Sequence, residues 1–212
     1  MRSVDDLAAE LDTTLRDRMS DKPRALIALA GPPGAGKSTL ADALVNRLNA
    51  SLPDAPAVAV PMDGFHYDNL ILDARGLRAR KGTPETFDAS GFLALLHRLR
   101  IATDDVAIPV FDRASDLSRA SARMIEPRHR LLVVEGNYLL LDRPIWRDLR
   151  PLFDLKIMLR PSLEVIEARL VQRWLDHGHP RDEAIAKARG NDLANAELIL
   201  SESGSADLTL QD

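Results

Sequence analysis

The sequence predicts an α/β protein of three layers, α/β/α, with a mostly parallel sheet and a small helical lid. Two observations carry this. Short apolar runs of buried-strand type alternate along the chain with segments of helical spacing, the pattern of strands joined by crossover helices. The stretch Gly31-Pro32-Pro33-Gly34-Ala35-Gly36-Lys37-Ser38 also fits Gly-x-x-x-x-Gly-Lys-Ser/Thr at every fixed position, between a strand and a helix. With 212 residues, 45% of them hydrophobic and 28% charged, the composition is that of one well-cored globular domain, 1–212, with a lid at roughly 169–195.

The elements follow in order. Val4, Leu7, Ala8, Leu11 and Leu15 predict an amphipathic first helix, expected to pack against the edge of the sheet. Ala25 to Ala30 reads as a buried strand, and Leu40, Ala43, Leu44 and Leu48 mark the helix after the glycine-rich loop. A Pro/Ser-rich turn precedes a strand at Ala57 to Val60. The segment from Asp68 to Thr86, polar, basic and Gly-punctuated, reads as a long irregular loop with a short helix around Asn69 to Ala74. Asp88 caps a helix to about Leu99, and Val106 to Phe111 is a further strand of the alternating series. Leu131 to Val134 and Leu155 to Leu159 are strands, and Ser162 caps a helix striped with Leu163, Ile166, Leu170 and Trp174. Two polar helices, near 182–189 and 193–201, and a strand at Asp207 to Leu210 close the chain.

Bulk properties exclude several classes. A net charge of −4 without a basic run gives no footprint for nucleic acid. The absence of cysteine removes disulfides, thiolate zinc sites and a cysteine nucleophile. Neither a signal pattern nor a membrane-length apolar span occurs, so a cytoplasmic location without membrane insertion is expected.

The loop's chemistry is a phosphate cradle. Gly31, Gly34, Ala35 and Gly36 let backbone N–H groups converge on an anion, Lys37 reaches toward the outer phosphates, and Ser38, followed by Thr39, offers a hydroxyl to Mg²⁺. Residues just after parallel strands converge on one rim, so Lys37, Asp63, Asp112 and Glu135 are expected in one cleft. Asp63 suits a general base toward an acceptor hydroxyl. Glu135 suits metal, metal-water or substrate contact; Asp112 fits substrate contact and loop structure equally. Arg169 and Arg173, four apart on one helix face, suit phosphate neutralisation by a closing lid, with surface pairing to Glu167 or Asp176 as the plainer alternative. His66, beside Asp63, joins the candidates for acceptor contact.

The chain resembles the P-loop kinase superfamily that contains uridine kinase, phosphoribulokinase and type I pantothenate kinase. The resemblance covers most of the sequence and is densest at Met62-Asp63-Gly64-Phe65-His66-Tyr67-Asp68-Asn69 and at Arg80-Lys81-Gly82-Thr83-Pro84-Glu85-Thr86-Phe87-Asp88. It implies the P-loop NTPase fold, ATP as co-substrate, Lys37 and Ser38 serving the nucleotide and Mg²⁺, Asp63 as catalytic base, Glu135 near the acceptor, and Arg169 and Arg173 in a lid; Tyr67, Arg80 and Arg113 join the candidates for acceptor contact. Asp116 stands where uridine kinases place a substrate-binding histidine, and Arg113 departs from the pantothenate kinase pattern. The remaining pattern, including Val134-Glu135-Gly136-Asn137-Tyr138, is similar to bacterial proteins often labelled fructose transport system kinase. The expected function is therefore ATP-dependent phosphorylation of a hydroxyl on a small metabolite, a sugar such as fructose ahead of a nucleoside or pantothenate. A nucleotide-hydrolysing switch and a nucleotide-binding module without turnover are the rivals, and a homodimer is compatible with the sequence.

Overall fold

A computed structural model of the protein describes residues 4–19, 24–51 and 56–211; most of the turn expected before the second strand lies outside them, at 52–55. In chain order the elements are α1 (Val4–Met19), β1 (Ala25–Ala30), α2 (Lys37–Ser51), β2 (Ala57–Pro61), α3 (Asn69–Ala74), α4 (Ala89–Ile101), β3 (Val106–Asp112), β4 (Leu117–Ile125), β5 (Leu131–Gly136), β6 (Leu155–Leu159), α5 (Leu163–Asp176), α6 (Arg181–Lys187), α7 (Leu193–Glu202) and β7 (Leu208–Leu210). Five strands form one parallel sheet in the order β2-β5-β1-β6-β7.

Alternation across β1 explains the layers. Leu26, Ala28 and Ala30 join a cluster with Phe92, Leu96 and Leu99 of α4 and with Trp146 and Leu149. Ala25, Ile27 and Leu29 face the other way, against Leu40, Leu44 and Leu48 of α2 and Ala8, Leu11 and Leu15 of α1. A strand buried on both faces reads as a continuous apolar run, which is why β1 and β5 were visible in sequence. The α1 helix lies along α2 and shares its cluster.

One element departs from the expected order. The Val106–Asp112 strand is outside the parallel sheet and pairs antiparallel with β4, forming a separate two-stranded hairpin. Its partner is absent from the sequence reading because β4 is mostly exposed, with Ser118, Arg119, Ala120 and Ser121 in place of an apolar alternation. The irregular segment contains the expected helix α3, capped by Asp68 through the Leu70 amide, and two further single turns at Arg78–Arg80 and Pro84–Thr86.

Arg24 binds the layers together. Its guanidinium donates to five carbonyls: His129 (3.0 Å), Leu99 (2.8 Å), Ala102 (3.3 Å), Glu126 (3.0 Å) and Pro127 (3.1 Å). The start of β1 is thereby tied to the end of α4 and to the turn leading into β5. Removing the donor leaves several partly buried carbonyls without a partner, so Arg24→Ala is expected to cost about 2–3 kcal/mol, roughly 5–10 °C in Tm for a chain of this length. Arg24→Lys should recover less than half, since an ammonium cannot span the same acceptors. Thermal unfolding checks this; a change in Tm below about 2 °C for Arg24→Ala would remove the clamp from the account.

Candidate active site

The loop between β1 and α2 is shaped by its glycines. Gly34 and Gly36 have φ of +77° and +88°, a region other residues enter only with strain, and the Ala35 amide closes a turn on the Pro32 carbonyl at 3.1 Å. Lys37 opens α2 and folds back over the loop, its Nζ donating to Pro32 O at 2.9 Å. It is 8% exposed, and burial lowers its pKa to about 8 against the opposing pull of Glu135 and Asp63. Ser38 and Thr39 are exposed on the first turn of α2.

An open cleft lies beside this turn, lined by Ser38, Asp63, Phe111, Arg113, Arg123 and Glu135 among others. Parallel register builds half of it: Glu135 on β5 lies opposite Pro61 of β2 and Leu29 of β1. Asp63 follows in a single helical turn, Met62–Phe65, where Gly64 meets the hairpin so closely that a Cβ would run into the Pro109 carbonyl. Glu135 is buried and hydrogen-bonded to Ser38; burial first, then the neighbouring Asp63 charge, raises its pKa to about 7, with Lys37 and Arg113 opposing. Asp63 Oδ2 accepts from Arg113 Nη2 at 2.9 Å.

The Ser38 hydroxyl and the Glu135 carboxylate are adjacent hard oxygen donors, and among the described residues no cluster of three acidic, histidine or cysteine side chains forms a cation cage. That donor set fits Mg²⁺, which keeps most of its waters and is shared with phosphate oxygens.

Other sequence candidates fall outside the cleft lining. Asp112 Oδ1 accepts from the Ser115 amide at 3.1 Å and Oδ2 lies 3.8 Å from Arg119, so this carboxylate shapes the hairpin turn rather than standing on the sheet's rim. Arg80 is exposed and paired with Glu85 at 2.5 Å. Tyr67 carries Arg75 over its ring at 4.8 Å. His66 is stacked on Phe87 with centroids 3.9 Å apart and tilted against Phe111 at 4.7 Å; burial lowers its pKa to about 4, which keeps the ring neutral. Arg169 Nη1 points at the Gly34 and Ala35 carbonyls, each at 3.4 Å, and Arg173 is held by Asp192 at 2.6 Å. A third arginine of this segment, Arg189, pairs with Glu167 at 2.6 Å.

Comparison with known proteins shows the family. The model of the phosphoribulokinase/uridine kinase family matches residues 26–211. The chain belongs to that family. A Schizosaccharomyces pombe protein named "putative uridine kinase" is 35% identical over 209 residues, covering 95% of this chain and 89% of its own. A Bradyrhizobium pantothenate kinase is 30% identical over 168 residues, 76% of this chain but 52% of that one. The crystal structure of a "putative fructose transport system kinase" from Silicibacter sp. TM1040 is 49% identical, covers 96% of this chain and 98% of its own, and superposes with a TM-score of 0.91. The family consists of ATP-using kinases with small-molecule acceptors, and this member has their α/β fold. Among the described residues no helix is long and apolar enough to cross a membrane.

Two charged residues of the cleft lining, Asp42 and Arg123, are not marked among the sequence candidates of this kinase. Asp42 lies one helical turn after Ser38, and that spacing could have found it. Arg123 sits on the polar strand β4, donating to Ala59 O of β2 at 2.7 Å, and no periodic signal marked it.

The depressed Lys37 pKa makes nucleotide binding pH-dependent. Polyphosphate beside the ammonium raises its pKa, so below about pH 8 the lysine is charged in both states, and above it binding must take up a proton. Affinity for metal-free ADP should therefore fall by up to about tenfold per pH unit between roughly pH 8 and 9.5, and Lys37→Arg, charged throughout, should flatten the slope. Calorimetry across this range decides; a flat wild-type profile would mean that burial leaves the lysine fully charged.

Proposed function

We propose that this kinase transfers the γ-phosphoryl group of Mg-ATP to a hydroxyl of a small polyhydroxylated metabolite, a sugar such as fructose. The observation that carries this reading is the cleft itself, where Asp63 faces an open space between the nucleotide loop and the hairpin, with Glu135 and Arg113 beside it. The Gly31–Thr39 loop holds the phosphates through backbone N–H groups from Gly34 onward and through the Lys37 side chain, which meets charge developing on the transferred oxygens. Ser38 and Glu135 would hold Mg²⁺, which neutralises phosphate charge when bound. Asp63 orients the acceptor hydroxyl and takes its proton. The carboxylates of Asp63 and Glu135 accept hydrogen bonds from several hydroxyls at once, and Phe111 and Val110 supply one apolar wall.

The segment from Arg169 to Asn195 acts as the lid. Arg169 steadies the loop through its carbonyls, and Arg173, on the same helix face and held by Asp192, is assigned to the phosphoryl. His66 backs the acceptor side through its contact with Phe111, and Asp112 shapes the turn that carries Arg113, while Tyr67 and Arg80 lie outside the cleft lining. The name of the Silicibacter relative supports a sugar acceptor, and the single aromatic ring in the cleft lining agrees with it. Uridine or pantothenate is the second reading, favoured by the names of the S. pombe and Bradyrhizobium relatives.

Matched acceptors assayed with saturating Mg-ATP, following ADP and the phosphorylated product, separate these. Hexoses and pentoses should stimulate turnover above uridine, cytidine and pantothenate; faster product from a nucleoside or pantothenate would replace the sugar and keep the kinase. Asp63→Asn should lower kcat by about 10²–10⁴-fold with ATP affinity within a few-fold. Parallel loss of ATP affinity would move Asp63 to the metal and the base to Glu135.

Nucleotide should also order the lid. A non-hydrolysable ATP analogue is expected to protect 170–195 from limited proteolysis, and Arg173→Ala to lower kcat by about 10²-fold or more. Unchanged cleavage together with unchanged kinetics would make the segment a scaffold.

A further inference from the structure

Arg113 stands at the first position of the 113–116 turn that joins β3 to β4, and its position is built rather than incidental. Asp112 closes one end of the turn through the Ser115 amide. Lys81 Nζ closes the other, donating to Asp116 Oδ1 at 2.7 Å and Asp116 O at 2.9 Å, while Asn69 Nδ2 donates to Asp116 Oδ2 at 2.8 Å. These bonds hold Asp116 in the left-handed region, φ +52°. From this platform the guanidinium reaches across to Asp63.

The pair is asymmetric. The Arg113 side chain is 65% exposed and that of Asp63 25%, so the guanidinium can be drawn away by a ligand entering the cleft while the carboxylate stays in place. The need for such a contact follows from the chemistry. A carboxylate able to take a proton beside bound ATP serves water as readily as an acceptor hydroxyl unless it is covered.

We propose that Arg113 is a guard on Asp63: without acceptor its guanidinium occupies the carboxylate and suppresses ATP hydrolysis, and an acceptor entering the cleft displaces it. The inference rests on the reading of Asp63 as the base. In the suppressed reaction Asp63 takes a proton from water while the water oxygen bonds to the γ-phosphorus. The bond from that phosphorus to the β–γ bridging oxygen breaks, its electron pair leaving with ADP, and the products are ADP and inorganic phosphate. Arg113 is a positioning residue here, and the opposite role, orienting Asp63 for catalysis, predicts effects of opposite sign.

The test is turnover of Mg-ATP by the full chain without acceptor, followed as ADP and inorganic phosphate, in R113A, R113Q, R113K and the R113A/D63N double variant. R113A and R113Q should raise hydrolysis about tenfold or more, a part of what a freed general base supplies. R113K should remain near wild type, and D63N should erase the rise; a merely structural role produces neither restoration nor erasure. Hydrolysis unchanged or lowered in folded R113A and R113Q overturns the guard while leaving the kinase reading intact, because that reading is judged by acceptor product and by D63N alone. A rise that survives D63N also overturns it and puts the water-activating base elsewhere.

Discussion

The site depends on the register of three parallel strands. Ala30 of β1 lies opposite Gly136 of β5, and Pro61 of β2 opposite Glu135, so the chain leaves all three strands at one level and one edge. Parallel strands require crossovers, and each crossover here returns along one face of the sheet before the next strand begins. The consequence is chemical: the phosphate loop after β1, the acidic end of β5 and the Asp63 turn after β2 are neighbours although they are far apart in the chain. A slip of one residue in β5 would turn the Glu135 side chain to the other face and separate it from Ser38.

The hairpin solves a second problem with the same atoms. β2 is an edge strand, and an exposed row of carbonyls invites pairing with another chain. Arg123 covers Ala59 O, Ser118 Oγ donates to Gly64 O, and the bulge near Pro109 brings β3 against Gly64. Covering the edge also supplies the outer wall of the cleft and carries Arg113 to Asp63.

The 169–195 segment is joined both to its own helices and to the 81–82 segment. Asp192 receives Arg173 and the Trp174 indole, at 2.6 and 2.9 Å, where the helix loosens into a π turn at Ala188–Asp192. The Asn191 amide donates to Lys81 O at 2.9 Å, and Lys81 is the residue that fixes the hairpin turn. Tyr138, following β5, donates its hydroxyl to Gly82 O at 2.5 Å. The 169–195 segment, the 81–82 segment and the hairpin turn are therefore linked by hydrogen bonds through Lys81 and Gly82.

The sequence by itself determined the layered α/β fold, the phosphate loop with Lys37 and Ser38, the helices with an N-cap at Asp88 and Ser162, and the candidacy of Asp63 and Glu135. All of these are local: apolar runs, side-chain caps and glycine spacing act within a few residues and leave their mark in order along the chain. Tertiary structure alone decided the rest. Val106–Asp112 is apolar enough for any sheet, and only its pairing with the polar strand β4 took it out of the parallel one. Asp112 and Asp63 both follow strands in sequence, yet one caps a turn while the other faces the cleft. Asp116 and Arg113 looked like departures in an acceptor motif; their partners, Lys81 and Asp63, lie 35 and 50 residues away. An ion pair of that span is set by how elements pack, and no periodicity or spacing along the chain encodes it.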